Sequence, residues 1–212
     1  MALPDGGVEH PAKLNIWLGR QGIAGYDAEA EFVRLTDALR LVQDHAAAAR
    51  PTPAAAANAA SMLEHVAAIL REFEVGEADQ VAARIHDNAG RGQTLLPPFH
   101  VDSWGPTWIE GRVRFTRFHL GSNGAAHGGS ISLLFDDLLG QLANAPGNDR
   151  ARTARIEVSF RQITPLDRDL TVSVRAARRD GRKLVVTGEL RDAATVLATA
   201  EGLFIALRPG QP

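Results

Sequence analysis

The stretch Gly121-Ser-Asn-Gly-Ala-Ala-His127-Gly128-Gly129-Ser-Ile-Ser-Leu-Leu-Phe-Asp136-Asp137 changes character halfway along. Glycines and small residues fill it up to Gly129, and beyond that Ile131, Leu134, Phe135, Leu138, Leu139 and Leu142 recur at helical spacing until Pro146 and Gly147 close the segment. The pattern predicts a glycine turn opening one long, predominantly apolar helix. Upstream, Arg112 to Thr116 alternate polar and apolar side chains, which predicts a half-buried strand running to about Leu120. Downstream, the same alternation returns in Ile156, Val158, Phe160, then in Leu170, Val172, Val174, then at Leu184 and Val186, and finally near Leu203, Ile205 and Leu207. Asp180-Gly181 is a tight-turn signal between two of these strands. Links this short force antiparallel neighbours, so the fold class is α+β, with an antiparallel sheet packed around the helix.

A helical block precedes this unit. Asp27 is a plausible N-cap for a helix carrying Phe32, Leu35, Leu39 and Val42 on one face, and Thr52-Pro53 opens a second with Met62, Leu63, Val66, Ile69, Leu70 and Phe73 as its stripe. A third, shorter helix is expected from Glu77 to Asp87, before a glycine-containing linker from Asn88 to Gly92. His45, His65 and His86 sit singly and suggest no site. Trp104, Pro106 and Trp108, with Leu95 to Phe99, are candidates for core packing or for lining a pocket. The expected organisation is a tail (1–24), a helical extension (25–92) and an α+β unit (93–212).

Composition excludes several function classes. The chain has 212 residues, 45% of them hydrophobic, with 23 basic against 25 acidic groups, a balance unsuited to broad capture of nucleic acid or an anionic membrane. No cysteine is present, which removes disulfides, thiolate metal sites and a cysteine nucleophile. The seven histidines show no paired ligand spacing, so no metal is expected. Met1 to Gly7 has neither the cationic start nor the apolar run of a leader, and no run approaches the roughly 18 apolar residues of a membrane span. A cytoplasmic location is the expectation. Residues 151–212 carry 11 basic and 7 acidic groups, an excess suited to a phosphate-bearing small ligand or simply to a solvated strand surface.

Chemistry concentrates at the glycine turn. Free N–H groups in the first turn of a helix, with the positive end of the dipole behind them, suit an oxygen that is gaining negative charge, as acyl transfer requires. His127 is placed to help position an acyl carbonyl. Asp136 and Asp137 lie about two turns further on, where a partly desolvated carboxylate can act as general base or nucleophile. The two flank the apolar stripe at comparable angles, and periodicity leaves the choice between them, or a solvated role for either, open. The basic run Arg178-Arg179-Asp180-Gly181-Arg182-Lys183 sits at the expected hairpin, where guanidinium groups suit phosphates.

Residues 95–212 resemble the hot-dog-fold acyl-coenzyme A thioesterases, in particular the phenylacetyl-CoA thioesterase-like (PaaI-like) branch. The resemblance rests on His127-Gly128-Gly129 at the helix start, an acidic residue nine positions after the histidine, and the run Thr153-Ala-Arg-Ile-Glu-Val-Ser-Phe-Arg-Gln-Ile-Thr-Pro165. It implies a five-stranded antiparallel sheet around the helix, a homodimer or a dimer of dimers (homotetramer), and active sites shared across the interface. It selects Asp136 over Asp137 as base or nucleophile, assigns the Gly128 and Gly129 amides to the thioester carbonyl, and brings Thr153 in from the partner subunit. Many members carry asparagine six positions before the histidine; here that position is Gly121, and Asn123 falls two residues later as the candidate substrate contact. Arg178, Arg182 and Lys183 are the implied contacts to coenzyme A. The implied reaction is hydrolysis of an acyl-CoA or acyl-carrier thioester without a cofactor. The alternatives are a non-catalytic acyl-CoA binder and a hydratase, whose Asp-x-Asn-Pro-x-His-like loop is missing from this chain.

Overall fold

The computed structural model describes residues 26–85, 88–145, 148–208 and 210–211. The tail 1–24, His86, Pro146 and Gly147 lie outside the described residues. In chain order the elements are α1 (Glu29–Ala48), α2 (Pro53–Arg71), β1 (Phe99–Gly105), β2 (Trp108–Val113), α3 (Gly128–Ala143), β3 (Ala151–Phe160), β4 (Leu170–Asp180), β5 (Lys183–Asp192) and β6 (Thr195–Ala206). The strands form one antiparallel sheet in the order β1-β2-β4-β5-β6-β3.

The apolar stripe of α3 is the reason the sheet closes on it. Ile131, Leu134, Phe135, Leu138, Leu139 and Leu142 are all buried and share one core with Leu170, Val172, Val174, Val186, Leu190 and Phe204 from three strands, β4, β5 and β6. Each such side chain contributes about 1.5–3 kcal/mol by leaving water. The helix approaches β5 closely because residue 188 has no side chain: a Cβ there would stand 2.9 Å from the Phe135 ring.

Six strands form, one more than the five the resemblance implies. The additional strand is β1, whose polar centre, Asp102-Ser103, hides its alternation. That centre bulges out of register between Val101 and Ser103. Trp104 and Phe99 are accordingly core residues, while Leu95 is exposed. The strand expected at 112–120 begins earlier and stops at Val113. Beyond it Arg117–His119 make a 3₁₀ turn, stabilised by Thr116 donating its backbone N–H to His119 Nδ1 at 3.0 Å. The hairpin of β4 and β5 turns on Gly181-Arg182, with Asp180 and Lys183 paired.

The extension is only partly docked. Helix α1 starts from Ala28, not from an Asp27 cap, and lies against the Arg117–His119 turn, where Asp44 Oδ1 accepts the Phe118 N–H at 3.0 Å. Thr52 caps α2 as its sequence predicts, accepting the Ala55 N–H at 3.3 Å. None of the residues of α2 is buried, and Met62, Leu63, Ile69, Leu70 and Phe73 lie open. Of the helix expected over 77–87, the described residues 77–85 form only a single 3₁₀ turn, Glu77–Asp79, with the Arg84 guanidinium folded back onto the carbonyls of Glu77 and Ala78; residues 86–87 lie outside the described residues.

Candidate active site

The turn that opens α3 is held by backbone bonds on both sides. Gly121 donates to the Ala125 carbonyl at 2.9 Å, Ala126 to that of Thr164 at 2.8 Å, and His127 to that of His119 at 2.7 Å. Position 121 is tight for a side chain such as asparagine: a Cβ there would stand 3.0 Å from His127 Cα, so the backbone at the helix start would have to give by a few tenths of an ångström. Asn123 occupies the exposed tip of the turn in a left-handed conformation, with φ of 53°.

His127 is the N-cap of α3, and its Nδ1 accepts the Gly129 N–H at 2.9 Å. A neutral ring that accepts at Nδ1 carries its proton on Nε2, so the exposed ring presents one outward donor. The bond also corrects an expectation: the Gly129 amide is already used within the cap, so it does not stand ready for a substrate oxygen. The Gly128 amide has no partner among the described residues. Beside it lies Phe160, from the end of β3, 55% exposed and 3.1 Å from where a Gly128 Cβ would stand. Phe160 was legible only as a strand residue, because its position over the helix start depends on the long-range β3–β6 pairing.

The two carboxylates that periodicity cannot separate are separated by their partners. Asp137 is filled: Arg91 Nη2 donates to Oδ1 at 2.6 Å and Gln141 Nε2 to Oδ2 at 2.7 Å. Asp136 has no hydrogen-bond or ion-pair partner among the described residues. Its side chain is exposed at the surface of the chain, yet the protein mass around it thins its hydration, and this, and then the adjacent Asp137 charge, push its pKa above the ordinary carboxylate value. Arg91 gives no signal in the sequence, since it lies 46 residues from its partner in a glycine-containing linker.

The other expected site residues occupy different stations along α3, whose 16 residues span about 24 Å. His127, Gly128 and Phe160 mark its N-terminal end. Ala151 N–H bonds Asn144 Oδ1 at its C-terminal end, where Arg179 also reaches Asn148. Arg178 and Lys183 are exposed near this second end without ion-pair partners among the described residues, and Arg182 Nε donates to the Ala206 carbonyl at 2.8 Å. Thr153 is exposed on β3, beside the register shift at Thr153/Arg155. At about 3.3 Å per residue it lies roughly 23 Å along the strand from Phe160. The single chain therefore does not bring the basic hairpin, Thr153 and the Gly128 amide together. Among the described residues no cluster of three or more His, Asp or Glu is arranged to hold a metal ion, and no helix is long and apolar enough to cross a membrane.

Comparison with known proteins agrees with this architecture. The thioesterase superfamily profile matches residues 123–199, from the glycine turn into β6. Acyl-coenzyme A thioesterase THEM4 of Mus musculus is 32% identical over 94 residues, which are 43% of this chain and 40% of that protein. A protein of Streptococcus mutans, solved with acetyl-CoA bound, shares the fold at 19% identity and a TM-score of 0.50, over 54% of this chain and 93% of its own. A crystal structure of a thioesterase superfamily protein superposes with a TM-score of 0.71 at 30% identity, covering 82% of this chain and 90% of that one. A match of that extent is longer than the α+β unit and reaches into the residues before it. With the hot-dog arrangement of one apolar helix inside an antiparallel sheet, it establishes that the chain belongs to the thioesterase superfamily.

Proposed function

We propose that this protein hydrolyses acyl-coenzyme A thioesters, as a member of the phenylacetyl-CoA thioesterase-like branch, working in the cytoplasm as a homodimer or dimer of dimers. The observation that carries the reading is Asp136: an exposed carboxylate midway along the central helix, with no partner among the described residues, beside one that is fully satisfied. Asp136 activates water or attacks the acyl carbon itself. The Gly128 N–H and the outward Nε2–H of His127 bind the carbonyl oxygen as negative charge develops on it. If Asp136 acts as base, the C–S bond then breaks and coenzyme A leaves as its thiol, taking the proton that Asp136 drew from the water. If it acts as nucleophile, breakage of the C–S bond leaves an anhydride on Asp136 that water hydrolyses to the free acid, restoring the carboxylate and supplying the proton of the thiol. Neither a metal nor a redox group has a step to perform.

Spacing along α3 supports a site shared by two copies. Gly128 and Asp136 are eight residues apart, a rise of about 12 Å, whereas an oxyanion donor and a base must each stand about 3 Å from the same thioester. Two α3 helices running antiparallel across a two-fold axis place the start of one against the middle of the other. Strand β3 supplies the seam. It ends the sheet order, and its outer edge presents a row of unpaired backbone groups. Such pairing carries Thr153 toward the neighbouring site, and it turns the C-terminal end of one α3, with Arg178, Arg182 and Lys183, toward the N-terminus of the other, where coenzyme A phosphates would approach. The acetyl-CoA held by the Streptococcus mutans protein on the same fold supports that ligand class.

Thiol release from short, medium, long and aromatic acyl-CoAs, followed with a chromogenic thiol reagent, tests the reading. The chain has no cysteine and adds no background. Turnover that Asp136→Asn abolishes and Asp137→Asn spares is expected. Binding of acyl-CoA without turnover would replace the enzyme with a non-catalytic binder. Light scattering should return at least twice the 22.7 kDa chain mass, and an active monomer would refute the shared site.

A further inference from the structure

We propose that Arg91, carried on the loop between the helical extension and β1, is a positioning residue for thioester hydrolysis: by engaging Asp137 it leaves Asp136 as the one carboxylate that meets the substrate. The proposal rests on the assignment of Asp136 above. Of the seven ion pairs among the described residues, Arg91–Asp137 is the most enclosed, with side chains 15% and 14% exposed. In each of the others at least one partner is 38% exposed or more. The pair joins the extension to the reactive helix at the position next to Asp136.

The loop is built to hold that arginine in place. Arg91 adopts a left-handed backbone, φ 50°, and Gly92 follows at 69°. Asn88 binds the Gly90 and Arg91 N–H groups, at 2.9 and 2.8 Å, and the Ala89 carbonyl accepts Phe99 N–H at the start of β1. From α1, Arg40 reaches in to donate to the carbonyls of Gln93 and Leu96, and its guanidinium fills the space beside Gly90 so fully that a Cβ there would meet it at 2.8 Å. Thus α1 holds the loop through Arg40, the loop presents Arg91, and Arg91 fixes Asp137. Among the described residues Asp137 is the charged neighbour that acts on Asp136, while Asp137 is faced by Arg91 from the loop and by neutral Gln141 from its own helix. Without the guanidinium, the Asp137 charge would be uncompensated beside Asp136, and its carboxylate would be free to turn toward the substrate.

Carboxyl ¹³C NMR titration of full-length protein, together with pH profiles of kcat/KM, tests this. Arg91→Gln should raise the Asp136 midpoint, and the acid limb of the profile, by roughly 0.5–1 pH unit. Arg91→Lys should restore most of the difference, and Asp137→Asn should lower the midpoint. In the double variant Arg91→Gln/Asp137→Asn the midpoint should match that of Asp137→Asn alone. An unmoved midpoint in Arg91→Gln, or an equal loss of turnover from that substitution with and without Asp137, would reduce Arg91 to a structural contact. Should Arg91→Gln not fold, an Asp136 midpoint unchanged in Asp137→Asn would overturn the proposal by itself. Full activity in Asp136→Asn would instead remove the assignment on which the proposal rests, and the titration, which needs no turnover, separates that failure from an uncoupled Arg91.

Discussion

Replacing Gly128 with proline deletes one hydrogen and little else. Gly128 is the first residue of α3, where the N–H has no intrahelical acceptor and where proline's fixed φ already suits the helix. The preceding residue, His127, has φ −63° and ψ 132°, the extended conformation proline demands of its neighbour. The His127 cap is untouched, because it takes its proton from Gly129. The new ring carbons meet Phe160, a half-exposed side chain that can turn away, and Gly128→Ala imposes much the same contact while keeping the amide. The comparison of the two variants therefore isolates the donor. Loss of one oxyanion donor costs about 10²–10³ in kcat, or roughly 2.7–4 kcal/mol of barrier. Gly128→Pro should fall below Gly128→Ala by that factor in kcat, with KM for a short acyl-CoA nearly unchanged and thermal unfolding of the two variants within a few degrees. Equal kcat values would refute the assignment of the Gly128 amide to the thioester oxygen.

Three further outcomes are expected. Since thinned hydration raises the Asp136 pKa in the folded chain, its ionisation opposes folding above the unfolded carboxylate's pKa; Asp136→Asn should therefore raise Tm at pH 7, a gain that disappears near pH 3, and a lower Tm at pH 7 would contradict it. Gly188→Ala should destabilise by about 1–3 kcal/mol through the Phe135 ring, and adding Phe135→Leu should recover part of that loss in urea unfolding; strictly additive effects would mean the two positions do not press on one another. Arg178→Ala/Lys183→Ala should raise KM for acyl-CoA but not for acyl-pantetheine, which lacks the nucleotide, and an unchanged ratio of the two KM values would release the basic hairpin from any role with phosphate.

What the sequence made legible follows the range of the forces involved. The period of the Ile131–Leu142 stripe and the alternation in four later strands are local signals, and both appear in the structure. Strand β1 was hidden because its Asp102-Ser103 centre bulges out of the pattern, and the 3₁₀ turn at Arg117–His119 depends on His119 bonding back to Thr116. At the site, the glycine turn was visible but the use of the Gly129 amide by His127 was not, since it requires a side-chain torsion. Asp137 is set apart from Asp136 by Gln141, one turn along the same helix, and by Arg91, a residue with no periodic relation to either. Spacing along one helix cannot report a partner delivered by a distant loop.

The strand order also has a consequence for how this protein is made. Strand β3 is synthesised straight after α3, yet its partner within the chain is β6, the last of the six strands in sequence. A ribosome must add the 34 residues 161–194 between the two, and β3, with Thr153 and Phe160, waits meanwhile with both edges open. Non-local pairing of this kind is slow and exposes nascent chains to aggregation, so the edge assigned here to joining two copies is completed after the hairpins around it. Until β6 arrives, β3 is an open strand that a neighbouring nascent chain can pair with, so early capture between copies competes with closure of the sheet.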